Sequence, residues 1–269
     1  MFKSLFRFYI NSSIHVAFAI LSLLILTFLR FEIKIDLILL LFVFLASVTG
    51  YNFVKYAPVA KLHHKSLTQR LQIIQLFSLC CFIGLLVVCF FVKTEIIAIS
   101  IALGFINLIY AVPLPKKSLR EIPLLKVFII AIIWAIVTVI FPFLYIDTLS
   151  PFNELWVFEI IERFFLVVLL MVPFEIRDYQ YDKSYLKTIV MVMGIRQTKL
   201  FAISLIVLFF SIRILVGLEI QDIVFYSLLY LSLGIFISIS SFHQKPYFAS
   251  FWVESLPIFW MLTYILMNS

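Results

Sequence analysis

The sequence predicts an all-α polytopic membrane protein, and two observations carry that prediction. The 269 residues are 64% hydrophobic and only 13% charged, with a mean hydropathy of +1.17. Soluble domains sit nearer half apolar and a quarter charged. The second observation is the recurrence of apolar runs of about 17 to 22 residues, long enough at 1.5 Å per residue to cross a hydrocarbon core of roughly 30 Å.

Taken in order, the expected spans are 13–29, 36–54, 71–91, 94–112, 123–141, 156–174, 198–217, 222–241 and 247–267. The first run follows Lys3 and Arg7, as a signal peptide would, but it lacks a small-residue cleavage site and many similar runs follow. Nine spans nearly exhaust the chain, so a single domain over 1–269 is expected. Basic residues test this count. The N-terminal tail and the second, fourth, sixth and eighth connections hold 16 of the 21 lysines and arginines, whereas Arg30, Lys34, Lys93 and Arg213 fall on the other face and Arg163 inside a span. Such a split in short loops predicts a cytoplasmic N-terminus, in the cytoplasmic membrane.

Charge and cysteine usage exclude other classes. The net charge of +7 is dispersed over connections, without a basic helix, zinc-finger spacing or RNA-binding aromatic pattern, so no nucleic-acid partner is expected. Cys80, Cys81 and Cys89 share one apolar run and read as packing residues, not as a disulfide frame or metal site.

The chemistry concentrates after the sixth span, in "VPFEIRDYQYDKS" at 172–184. Pro173 is placed to bend or end the helix. On a helical continuation Asp178 and Asp182, four apart, share a face, with Glu175 nearby. Two hard oxygen ligands on one face suit Mg²⁺, above all when a substrate diphosphate supplies further oxygens. A solvated connection in which Arg177 and Lys183 neutralise the acids fits the same spacing.

The stretch "IRDYQYDKSYLKTIVMVMGIRQT" resembles the second conserved motif of the UbiA superfamily of intramembrane prenyltransferases. Asp178 and Asp182 fall on its metal-binding aspartates, Lys187 and Thr188 on its basic residue and threonine, and Gly194 on its closing glycine. "YAVPLPKKSLREIPLLKVFIIAIIWA" at 110–135 resembles the family's stretch between spans four and five, with Tyr110, Pro113, Lys116, Arg120, Pro123 and Lys126 on its tyrosine, proline and basic positions. The resemblance implies a nine-helix UbiA-like bundle that transfers an isoprenyl group from a prenyl diphosphate to a lipophilic acceptor within the bilayer. It also implies Mg²⁺ on Asp178 and Asp182. Diphosphate would lie on Lys55, Lys116, Arg120 and Lys187, with Asn52 and Tyr110 orienting the substrate.

The family's first motif is where this chain departs. It should follow the second span as three spaced aspartates, but "TGYNFVKYAPVAKLHHKSL" keeps only Asn52 and places Phe53, Tyr56 and Ala60 at the acidic positions. No acid occurs between Asp36 and Glu95. Lys55, Lys61, His63 and His64 stand there instead, and a lysine can meet phosphate directly as a point charge. The alternative is therefore a non-catalytic UbiA-like protein that binds an isoprenoid or phospholipid. Lys116, Lys117 and Arg120 serve either as a phosphate cluster or as topology-setting loop charges. Glu254 in the last span is expected to face a cavity or a partner, and Glu162 and Arg163 are expected to offset each other.

Overall fold

The computed structural model describes residues 2–62, 68–111, 124–145, 154–182, 189–216 and 220–268, with the backbone alone at 2, 57–62, 111 and 180–182. Every regular element among them is helical: α1 Phe2–Asn11, α2 Ile14–Arg30, α3 Leu37–Leu62, α4 Gln69–Val88, α5 Thr94–Ala111, α6 Leu125–Ala135, α7 Phe141–Phe143, α8 Glu154–Asp182, α9 Ile189–Met193, α10 Ile195–Leu215, α11 Ile220–Ile239 and α12 Leu256–Asn268. A π turn at Ile136–Ile140 joins α6 to α7, and a second at Phe248–Val253 leads into α12.

Helices fall on each of the nine expected segments. Six of them are long and apolar enough to cross a membrane by length and composition, or seven if the bent pair α1–α2 counts as one span. Two expected spans fall short of that measure for physical reasons. Thr94–Tyr110 is a shorter apolar helix, and α8 carries Glu154, Glu159, Glu162 and Arg163 in its first three turns. A polytopic, all-helical membrane architecture is nonetheless plain from the surface. Leu76, Ile83, Phe90, Phe105 and Leu231 are among many large apolar side chains left exposed, an arrangement that water disfavours and lipid accommodates.

Two helices organise the interior. α2 packs against α3, α12 and the first π turn, and α8 against α6, α10 and α11. Their buried faces share one core that includes Leu23, Leu24, Phe28, Val167, Leu169 and Ile176, closed by Tyr226, Leu233 and Trp260. α4 and α5 reach this core near their junction, through Val88, Val92 and Ile96, and elsewhere α4 packs against α3 and α5 chiefly against α3. That looser packing of α5 leaves space behind it.

Two local features differ from the sequence expectation. Pro173 neither ends nor replaces the helix: α8 runs through it to Asp182, and Gln244 Nε2 donates to the Pro173 carbonyl at 3.2 Å. The acidic stretch 175–182 is thus helix, the continuation on which Asp178 and Asp182 share a face. The N-terminal tail is itself a helix, bent by 59° from α2. The break is held by the left-handed backbone of Ser13 (φ 62°) and by Ser12 Oγ donating to the Phe8 carbonyl at 2.7 Å.

Candidate functional site

Helices α3, α4, α5, α6 and α8 surround an elongated cavity of about 620 Å³. One wall follows α6 from Lys126 through Ile130 and Trp134 to Phe141. Fifteen residues of helix make that length about 22 Å. Phe42, Phe82, Leu85, Ile97, Ile101 and Val137 make the remainder largely apolar, with Ser47, Thr49, Ser100 and Asn107 as uncharged polar exceptions. Among the described lining residues, charge occurs at one end only, where Lys55, Lys126 and Asp178 meet Tyr110. The cavity therefore has the polarity of a lipid with a single ionic head: one charged mouth and a long apolar barrel.

The mouth is built from helix ends. Lys126 opens α6 and donates to Glu175 Oε1 at 3.3 Å, with Asp178 Oδ2 at 3.7 Å. Arg177 Nε donates to Asp178 Oδ1 at 2.7 Å. Glu175 is buried and Asp178 is partly so, because Glu175 points toward α6 while Asp178 lies one helical step nearer the mouth. Glu254, from the turn between the second π turn and α12, is within electrostatic reach of Lys55 and Arg177.

The predicted residues are distributed as follows. Lys55, Tyr110 and Asp178 come together on the cavity, joined by Lys126 of the second matched stretch. Asn52 lies elsewhere, buried at the α1–α2 break, where its Nδ2 donates to the Ser12 carbonyl at 3.0 Å and its Oδ1 accepts from Ser13 Oγ at 2.8 Å. Lys55 and Tyr56 add bonds to the Asn11 carbonyl at 3.2 and 2.8 Å. Lys116, Arg120 and Lys187, with Lys117, His63 and His64, lie outside the described residues, as does the side chain of Asp182.

A divalent ion needs several converging oxygens. Among the described residues, no three of His, Cys, Asp and Glu form such a group. Asp178 and Glu175 already face Arg177 and Lys126. The described donors by themselves do not fit a Mg²⁺ site.

Several lining residues were not anticipated. Asn107 lies on the cavity opposite Gly50, whose added Cβ would stand 3.5 Å from Asn107 Nδ2. Trp134 Nε1 donates to Tyr51 Oη at 2.6 Å, bridging α6 to α3 across the wall. Thr49 Oγ1 is buried on the lining with no hydrogen-bond partner among the described residues. Asn107 was detectable as an amide within the apolar run 94–111, whereas Thr49 and Tyr51 carry no signal distinguishing them from ordinary span residues.

At the opposite end of the bundle lies a second polar assembly. Arg30 Nη1 donates to both oxygens of Glu159 at 2.9 and 2.8 Å, and Arg163 Nη2 donates to Glu159 Oε1 at 3.0 Å. Arg213 donates to Glu159 and, through Nε and Nη2, to Glu162, which also accepts from Tyr230 Oη. The partners are thus not Glu162 with Arg163, as adjacency suggested. Glu159 and Arg163 pair at i,i+4 on α8, and Glu162 reaches across to α10.

A solved structure of digeranylgeranylglyceryl phosphate synthase superposes on 98% of this chain and 97% of its own, with a TM-score of 0.56 and 16% identity. The chain shares the fold of that structure over nearly its whole length. Neither the family models nor the curated proteins searched give a match to this sequence. The structural likeness therefore reaches the backbone architecture of nearly the whole chain, while the chemistry rests on the residues just described.

Proposed function

We propose that this UbiA-like chain binds a prenyl diphosphate in the 620 Å³ cavity and transfers the isoprenyl group to a lipophilic acceptor in the bilayer. The observation that carries this reading is the one-ended polarity of the cavity within a UbiA-like fold. The apolar barrel matches an isoprenoid chain, and Lys55 and Lys126 at the mouth match the diphosphate. In the reaction the C1–O bond breaks, diphosphate leaves with the electron pair, and the allylic cation is captured by an acceptor nucleophile that then loses a proton. Lysines at the mouth stabilise charge developing on the leaving group. Tyr51, Trp134 and Tyr110 offer aromatic faces to the cation. In the full proposal the bundle crosses the cytoplasmic membrane nine times with the mouth on the cytoplasmic side. Lys116, Arg120 and Lys187 add phosphate contacts there, and Asp182 joins Asp178 should a Mg²⁺ ion arrive with the substrate.

A specific observation favours a second reading, an isoprenoid- or phospholipid-binding protein without turnover. The α3 face where the family's first aspartates belong is committed to holding the helix break, through Asn52, Lys55 and Tyr56. The test is equilibrium binding of geranylgeranyl diphosphate in detergent, followed by an acceptor panel drawn from lipid extracts. Binding that is lost in Lys126→Met and accompanied by prenylated product supports transfer. Binding without product across the panel leaves the binding protein. No binding refutes both. Repeating the titration with chelator and with Asp178→Asn decides whether a divalent ion takes part: indifference to both excludes it.

A further inference from the structure

The buried assembly around Glu159 has an unbalanced charge. Its ionic members are Arg30, Arg163 and Arg213 against Glu159 and Glu162, so three guanidinium charges meet two carboxylates. Guanidinium groups do not deprotonate in proteins, and each carboxylate is held by at least one of them. Glu159, Glu162, Arg163 and Arg213 are buried and Arg30 is nearly so. Leu26, Leu166, Phe225 and Leu229 surround them, and among the described residues no further acid pairs with the three guanidinium groups. A net positive charge in such a medium is costly unless a counter-charge is present.

The same place holds an unused donor and a small void. Among the described residues Tyr226 Oη is buried without a hydrogen-bond partner, although its ring lies between Arg30 and Arg213 at 5.1 and 4.5 Å from their guanidinium carbons. Among the described residues, Arg30 Nε and Nη2 and Arg163 Nε also make no hydrogen bond. Tyr226, Arg30 and Arg163 all line a cavity of about 10 Å³, room for about one water-sized body, so a halide enters only as the lining side chains give by a few tenths of an ångström. A water there satisfies the hydroxyl but leaves the charge. Phosphate or sulfate exceeds the space.

We propose that this cavity is a site for a single monovalent anion of halide size, which accepts from Tyr226 Oη and the neighbouring guanidinium N–H groups and neutralises the cluster. Anion binding would then tie α2, α8, α10 and α11 together at the end of the bundle remote from the substrate cavity. The site does not depend on the transferase reading.

The test is thermal unfolding of the purified full chain in detergent, with sodium chloride exchanged for sodium gluconate at constant ionic strength. A ligand that binds only the folded state raises Tm with its concentration. Chloride and bromide are expected to raise Tm with the logarithm of their concentration, by about 5 °C at the top of the series, gluconate not at all. Tyr226→Phe keeps the ring and removes one donor, and is expected to need at least tenfold more chloride for the same rise in Tm. Equal Tm in chloride and gluconate at every concentration overturns the proposal in favour of a bound water. A chloride response unchanged in Tyr226→Phe overturns it too, because the ion then binds elsewhere. Should that variant not fold, anomalous scattering from bromide-grown crystals decides: a peak within hydrogen-bond distance of Tyr226 Oη supports the site, and none there refutes it.

Discussion

Gly104 lies on the wall that α5 gives to the cavity, and a Cβ built on it meets nothing within 4 Å. Gly104→Phe therefore inserts a seven-carbon side chain into existing space, and a chain threading the barrel loses roughly one five-carbon unit of burial. At about 0.8 kcal/mol per buried methylene, that is about 4 kcal/mol, or roughly a thousandfold in Kd. Stability moves the other way, since replacing glycine inside a helix is worth up to about 1 kcal/mol. Titration of fluorescent geranylgeranyl diphosphate, with a thermal melt on the same sample, reads both effects. Gly104→Ala is expected to lose far less affinity. Gly234→Ala is the control, because its Cβ makes an ordinary 3.6 Å contact with Ile203 Cδ1 away from the cavity. If Gly104→Phe melts at or above the parent temperature and binds with parent affinity, the isoprenoid does not occupy this cavity and the argument from its shape is wrong.

Other perturbations separate the two polar ends. Lys126→Met removes a mouth cation and is expected to weaken prenyl diphosphate at least tenfold while sparing the corresponding prenyl alcohol, compared by competition titration. Glu159→Gln keeps its shape but leaves three buried guanidinium groups with one carboxylate. It is expected to cost about 3–5 kcal/mol in a denaturation series, whereas Glu95→Gln at an exposed position stays within about 0.5 kcal/mol. Asn52→Ala removes two buried hydrogen bonds from the α1–α2 break, at about 1–3 kcal/mol. Its expected signature is faster hydrogen exchange over residues 2–13 with prenyl diphosphate affinity little changed; a selective loss of affinity instead would place Asn52 at the substrate.

Hydropathy marked the helices because a span must satisfy its backbone internally and clothe it in apolar side chains, and that requirement is written residue by residue. α8 shows where this reading weakens. Its charged first half looks unsuited to lipid, yet Glu159, Glu162 and Arg163 are matched by Arg30 and Arg213 from α2 and α10, some 129 and 51 residues away in sequence for the Arg30–Glu159 and Glu162–Arg213 pairs. Local spacing contains no record of such partners. Two of the four basic residues on the sparsely charged face, Arg30 and Arg213, thereby become internal counter-ions and cease to count as loop charges. Lys55 and Asp178 were legible as site candidates because ionic groups at span ends are conspicuous. Asn52 matched a motif position but is engaged by the N-terminal helix break, a contact that depends on the 59° bend and left no trace in the apolar pattern. Pro173 misled for the opposite reason: helix-breaking chemistry was evident, whereas the surrounding bundle that keeps α8 continuous was not.

The central claim is that an isoprenoid chain lies along α6 with its diphosphate at Lys126. Photo-crosslinking with a prenyl diphosphate carrying a diazirine at its ω-end, followed by peptide mapping, tests it most directly. The account predicts labelling at the far end of the barrel, on Phe141, Val137 or Cys89, competed by unlabelled diphosphate and lost in Gly104→Phe. Labelling confined to lipid-facing residues such as Leu76, Leu231 or Leu262, indifferent to competitor, would contradict it.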